Sequence, residues 1–340
     1  MSESKKVLFI WNVKDELKNY LINGLKDKPL DLVFSPINSA EDPKGFNEFL
    51  HTEIKSSNAI VGWRPKVEWL NSANELALFI NPGAGVQHLM KDHKAVLQRK
   101  QITLLNNHGH AHLNAQHAMA LLLSMCNQTI THHNYMANGQ WRTGDKQAAS
   151  ISLTQKNVGF LGYGHMNKLL HEMIKPFGSH FAALRRSEHK NLNDLQFYKS
   201  NQLNDFLKWT DVLMVAVPHT NETNNLIGKK ELKLLGREAV LVNMSRGAVL
   251  NEEALFHALR SKTIKRAAID VWYNYKPEAL DGKKYPFNFD FHKLDNAVLS
   301  PHRGGSPDTD LVRWNDVIEN LRNFANNQPY FNVVNLEAGY

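Results

Sequence analysis

Between Asn157 and Phe177 the chain reads as an apolar strand, Asn157-Val-Gly-Phe-Leu161, then a tight turn, Gly162-Tyr-Gly164, then a helical pattern opening at His165. This arrangement restricts the fold more than any other stretch. Two glycines let the backbone turn sharply from strand to helix and let a pyrophosphate approach, its charge resting on free N–H groups at the helix end. His165 and Met166 supply the first of those N–H groups. The stretch therefore calls for a parallel α/β sheet and a dinucleotide ligand. Asn167 stands where the fingerprint has its third glycine, which serves helix packing rather than phosphate contact, so the site is retained. The expected apolar face of the helix is Leu169, Leu170, Met173, Ile174 and Phe177.

A βα rhythm surrounds this turn on both sides. Val7 to Trp11, Leu30 to Phe34, Ala59 to Val61, Leu76 to Ile80 and Ile102 to Leu105 read as strands of a first parallel sheet. A strongly apolar helix is expected from an N-cap at Asn114 through Ala118, Leu121, Leu122, Met125 and Ile130, buried between two domains. The rhythm restarts with Asn157 to Leu161, Phe181 to Leu184, Val212 to Val217, Ala239 to Val242, Ala267 to Val271 and Ala297 to Leu299. A last helical pattern runs from Asp310 to Ala325, and no low-complexity linker or short repeat interrupts the chain.

The strand Phe181-Ala-Ala-Leu184 ends in Arg185-Arg186-Ser187, about twenty residues after the glycine turn, where an NAD enzyme places an acidic residue on the ribose. Two guanidinium groups and a hydroxyl suit a 2′-phosphate, and no carboxylate stands at that strand end to repel it. NADP(H) is therefore expected over NAD(H).

Composition narrows the alternatives. With 340 residues and 42% hydrophobic composition, the chain is long enough for two cores. The net charge of +7 is spread along the chain rather than gathered in a stripe, which argues against nucleic acid and for a solvated surface that steers anionic ligands. The first apolar run, Val7 to Trp11, is too short for a signal peptide or a membrane span, so a cytoplasmic protein with no membrane partner is expected. The single cysteine, Cys126, excludes an intrachain disulfide and lies in an apolar stretch, where a buried inert thiol is expected.

Three blocks in the second half resemble the D-isomer-specific 2-hydroxyacid dehydrogenase family, which includes glyoxylate/hydroxypyruvate reductases, phosphoglycerate dehydrogenase and formate dehydrogenase. They are Asp211-Val-Leu-Met-Val-Ala-Val-Pro218-His-Thr-Asn-Glu-Thr223, Val242-Asn-Met-Ser-Arg246-Gly-Ala-Val-Leu-Asn-Glu-Glu-Ala-Leu255 and Leu299-Ser-Pro-His302-Arg-Gly-Gly. Gly83-Ala-Gly85-Val resembles the substrate-side glycine loop. The resemblance implies Arg246 as the group that grips carboxylate and carbonyl of a 2-oxo acid, and His302 as the proton carrier. It adds backbone contacts from Ala84 and Gly85 to the carboxylate, and cofactor contacts at Pro218, Thr223, Ser245 and Asp270. It implies two doubly wound α/β domains: a flavodoxin-like substrate domain over residues 1–106 completed by 305–340, and an inserted Rossmann domain over 107–304. The site is expected in the cleft between them, in a homodimer joined through the Rossmann domain.

Two places depart from the family pattern. Asp270-Val-Trp-Tyr-Asn-Tyr275-Lys276-Pro277-Glu278 puts Tyr275 where the family has a glutamate that pairs with the histidine, while Glu278 lies beyond the proline. The family's Ala-Glu at the start of the long helix is changed to Gln116-His117. His108-Gly-His110-Ala-His112 alternates imidazoles, but with no cysteine or partnering pattern nearby no metal site is expected, and the resemblance sets this loop near the substrate. The expected function is NAD(P)H-dependent interconversion of a small 2-oxo acid and its D-2-hydroxy acid. The alternatives are a nucleotide-sensing regulator, as in the corepressors that resemble this family, and a formate-dehydrogenase-like oxidase suggested by Asp270-Val-Trp272.

Overall fold

The computed structural model describes residues 4–142, 149–186, 194–305 and 310–340. The chain divides into two compact units, Met1–His110 with Asp308–Tyr340, and Ala111–Pro307. The first boundary falls after His110 rather than after residue 106, because the long helix that opens the second unit begins at Ala111.

The first unit holds five parallel strands, β1 (Lys5–Phe9), β2 (Leu30–Phe34), β3 (Ala59–Val61), β4 (Leu78–Ile80) and β5 (Thr103–Leu105), in the order β2-β1-β3-β4-β5. Strands buried on both faces read as unbroken apolar runs, and alternate residues divide between the two faces. Leu8, Ile60, Phe79 and Leu104 join one core with Leu50, Leu70 and Leu97. Val7, Phe9, Val61, Leu78 and Ile80 face the other, which Trp314, Val317, Leu321 and Phe324 of the last helical segment complete. That segment is a short 3-10 turn, Leu311–Trp314, leading into the helix Asn315–Ala325. Asp310 starts it by accepting the Val312 N–H.

The second unit carries seven parallel strands: β6 (Asn157–Leu161), β7 (His180–Leu184), β8 (Gln196–Tyr198), β9 (Val212–Val215), β10 (Val240–Asn243), β11 (Arg266–Ile269) and β12 (Ala297–Leu299). Their order is β12-β11-β10-β9-β6-β7-β8, which reverses direction between β6 and β9 as in a dinucleotide-binding sheet. The expected pair of doubly wound parallel sheets is therefore observed. β8 was not legible: it is a three-residue edge strand, exposed or half-buried throughout, with no apolar run to mark it.

The long helix spans Ala111–Asn127, so Asn114 lies inside it rather than at its cap. Its Ala115, Ala118, Leu122 and Met125 pack on the face of the seven-stranded sheet formed by Val158, Phe160, Met214 and Val242. Gln128 then adopts a left-handed backbone, and Ile130 falls in a separate helix, Thr129–Ala137, with 47% of its surface exposed. The helix after the glycine turn, His165–Ile174, buries Leu170 and Ile174, while Leu169, Met173 and Phe177 of the expected apolar face are exposed. Asn167 and His171 take the inner positions instead. Among the described residues no helix is long and apolar enough to cross a membrane.

Candidate active site

The glycine turn joins β6 to the His165–Ile174 helix at the point where the strand order reverses. Gly162 has φ of +84°, and a Cβ there would stand 2.7 Å from the Ala216 carbonyl oxygen, so both conformation and space demand glycine. Gly164 is different. It is the extended N-cap of the helix, and a Cβ on it would meet nothing within 4 Å. The first helical N–H groups, at His165 and Met166, thus begin beside an open cradle that fits a pyrophosphate. Asn167 does more than fill the place of the third glycine. Fully buried, it donates through Nδ2 to the Gly162 carbonyl at 2.7 Å and reaches the Met214 carbonyl at 3.4 Å, tying helix, turn and β9 together.

At the end of β7 the Arg185 N–H donates to Tyr198 of β8, and its guanidinium lies 5.9 Å from the centre of the Phe197 ring. Arg186 approaches Glu222 at 4.0 Å, both largely exposed. The fold thus brings the carboxylate of Glu222, from the loop after β9, beside this strand end. An exposed pair of this kind holds its guanidinium only loosely. Ser187 lies outside the described residues. After β9, Thr223 receives the Thr220 N–H and donates its own proton to the Pro218 carbonyl at 2.7 Å, which closes the Pro218–Thr223 loop on itself.

β10, β11 and β12 lie side by side and parallel, so the residues just beyond their C-terminal ends are neighbours. Arg246 follows β10, Asp270 follows β11 and His302 follows β12. Asn243, missed at the sequence level, builds the turn that carries Arg246. Its Oδ1 accepts from both the N–H and the hydroxyl of Ser245, and its Nδ2 donates to the Arg246 carbonyl at 3.3 Å. Ser245 is consumed in that turn.

Asp270 turns its buried carboxylate on to the loop that carries His302. Oδ1 accepts from the Ser300 hydroxyl and from Arg303 N at 2.8 Å, and Oδ2 accepts from Gly304 N at 3.0 Å. His302 itself has φ of +56°, a conformation a histidine adopts only when its surroundings hold it there.

Tyr275 packs its ring against the His302 imidazole, with centroids 5.4 Å apart, and its hydroxyl accepts from Trp272 N at 3.3 Å. Glu278 is exposed. Desolvation by the surrounding protein pushes the His302 pKa below its ordinary value near 6.5; Asp270 pulls it up and Arg246 pushes it further down. Desolvation raises the Tyr275 phenol, so no second negative charge arises there at neutral pH.

In the five-stranded unit, the Gly83–Gly85 loop turns its carbonyls on to side chains. Asn81 Nδ2 donates to Gly83 at 2.6 Å, and Asn106 Nδ2 donates to Ala84 at 3.0 Å. His108 donates its backbone N–H to Asp316. Among the described residues no group of three or more His, Cys, Asp or Glu side chains is placed to hold a metal ion. Cys126 is buried, and burial raises its thiol pKa to about 11.

Residues 119–304 match the model of the D-isomer specific 2-hydroxyacid dehydrogenase NAD binding domain. The chain belongs to the D-isomer specific 2-hydroxyacid dehydrogenase family. It is 32% identical over 230 residues to the glyoxylate reductase of Aeropyrum pernix, a match spanning 66% of either chain. With the D-3-phosphoglycerate dehydrogenase of Archaeoglobus fulgidus it shares 28% identity over 295 residues, 86% of this chain and 54% of that one. The curated relatives thus extend well beyond the matched segments. Among solved structures, a family member from Xanthobacter autotrophicus in complex with NADPH and MES superposes with a TM-score of 0.79 at 22% identity, covering 99% of this chain and 100% of that one. The NADPH-dependent glyoxylate/hydroxypyruvate reductase of Sinorhizobium meliloti, in complex with NADP and malonate, gives 0.74 at 20% identity, covering 99% and 98%. At such identities the likeness speaks for the fold alone.

Proposed function

We propose that this chain is an NADPH-dependent reductase of a small 2-oxo acid, reversible toward the D-2-hydroxy acid. The observation that carries the reading is the placement of Arg246 and His302 just beyond the C-terminal ends of β10 and β12, the two parallel neighbours of β11. A 2-oxo acid offers a carboxylate and a carbonyl. Arg246 binds both through paired hydrogen bonds, and the Ala84 and Gly85 N–H groups take the far carboxylate oxygen. The nicotinamide supplies hydride. His302, protonated, gives its proton to the forming alkoxide and takes it back in the reverse direction. Gly162, Gly164, His165 and Met166 hold the pyrophosphate, Arg185, Arg186 and Ser187 the 2′-phosphate, and the Pro218–Thr223 loop the nicotinamide side. Both solved relatives named above carry NADPH or NADP, which supports the choice of cofactor. The reading includes a homodimer joined through the seven-stranded unit, as the family resemblance implies, and sedimentation tests it.

The test is loss of NADPH absorbance with glyoxylate, hydroxypyruvate and larger 2-oxo acids, run beside NADH. Turnover of one acid with NADPH supports the proposal. Tight NADPH binding without turnover of any acid replaces it with a nucleotide-sensing regulator. Trp272, which suggested a formate oxidase, is buried and donates its indole N–H to the Ser300 carbonyl at 2.8 Å, a task in the frame of the loop.

A further inference from the structure

The Ala111–Asn127 helix meets the His302 loop at two residues three positions apart, which share one helical face. Asn114 abuts Gly304: a Cβ on that glycine would stand 2.6 Å from Asn114 Oδ1 and 3.0 Å from Asp270 Oδ2. One turn on, His117 Nε2 lies 2.9 Å from Ser300 Oγ and 3.2 Å from Asp270 Oδ1. The protons can be assigned. Ser300 has a single hydroxyl proton, and Asp270 Oδ1 accepts it. Ser300 Oγ is then the acceptor toward His117, whose Nε2 must carry a hydrogen. The Asp270 side chain is 2% exposed, so its charge depends on protein donors, which among the described residues are Ser300 Oγ, Arg303 N, Gly304 N and the His117 N–H.

We propose that His117 is a positioning residue for His302: its Nε2–H closes the Ser300–Asp270 network that fixes residues 300–304 and thereby the left-handed backbone from which the imidazole projects. His117 acts through Ser300 and Asp270. The role rests on the reading of His302 as proton carrier, but the placement of His302 can be measured without turnover.

Two variants of the full chain test this, His117→Ala and His117→Gln, the glutamine amide N–H being able to donate to the same pair. His117→Ala is expected to lower kcat about 10- to 100-fold, the scale of a misplaced catalytic group. The KM for NADPH and the NADPH Kd from fluorescence titration should stay within about twofold, because the glycine turn is untouched. His117→Gln should recover most of the rate. Ser300→Ala, a smaller change that removes the bridging oxygen, should lower kcat in the same way and serves if His117→Ala does not fold. In carbon–proton spectra of the imidazoles, assigned with His302→Ala, the His302 signal should move in His117→Ala and return in His117→Gln. Wild-type kcat in both His117→Ala and Ser300→Ala, or an unmoved His302 signal, would overturn the proposal. If the wild-type protein reduces no 2-oxo acid, the functional reading fails by itself, and the His302 signal alone decides the role of His117.

Discussion

The ring of Tyr275 meets the His302 imidazole edge-on, with the two planes inclined at 61°. A phenol in that position covers the imidazole without giving it a charge to pair with. Among the described residues Asp270 is the carboxylate that raises the His302 pKa, and desolvation by the surrounding protein outweighs it.

In the proposed reaction reduction needs protonated His302, so its rate is expected to fall as pH rises through the lowered pKa, and the oxidative direction to gain over the same range. Tyr275→Glu should return a negative partner and move the falling limb of kcat/KM for reduction to higher pH by about one unit or more. A limb that stays in place would show that the tyrosine does not set the acidity of His302.

His302→Ala should reduce carbonyl reduction by about 10²- to 10⁴-fold, the usual contribution of a positioned acid, and leave NADPH binding intact. Stopped-flow and binding titration on one preparation separate the two effects. Full activity in this variant removes His302 from the mechanism.

Arg246→Lys keeps the charge and loses the planar fork. The expected cost is about 1.5–3 kcal/mol, the range for hydrogen bonds to charged groups, seen mainly in kcat/KM for the oxo acid. An equal loss in cofactor affinity would place Arg246 elsewhere than on the substrate.

Arg185→Asp should turn cofactor preference toward NADH by about tenfold or more, since a carboxylate repels the 2′-phosphate and accepts from ribose hydroxyls. The ratio of the two dissociation constants decides it, and an unchanged ratio counts against the assignment of NADPH.

Asn167→Gly restores the common fingerprint and should nonetheless destabilise the chain. The buried amide loses its bonds to Gly162 and Met214, about 1–3 kcal/mol, and a helical glycine costs about 1 kcal/mol more. Thermal denaturation reads this directly, and a rise in Tm would contradict the role given to Asn167.

Both sheets were largely legible because their central strands are buried on two faces and so appear as apolar runs. β8 was not, since Gln196, Phe197 and Tyr198 form a short, half-exposed edge. Asn114 misled because asparagine is a good cap, whereas here it faces Gly304 from within a helix. At the site, Arg246 and His302 stood out by residue type and neighbouring motif. Asn243 and Ser300 did not, and His117 showed only as a departure from the family pattern, because what they do depends on hydrogen bonds. The one joining His117 to Ser300 spans 183 positions of chain, and no local pattern records such a contact.

The last helix carries a consequence for the order in which the chain is completed. β1 is made long before the last helix, yet the core beneath it contains Val317, Leu321 and Phe324, and Lys5 Nζ donates to the Phe324 carbonyl. On a translating ribosome the seven-stranded unit has all its residues once Pro307 has emerged, while the five-stranded unit still lacks the part of one core that Trp314, Val317, Leu321 and Phe324 supply. The residues of the seven-stranded unit are thus complete before those of the five-stranded unit, whose sheet has one apolar face only partly covered until the last helix is made.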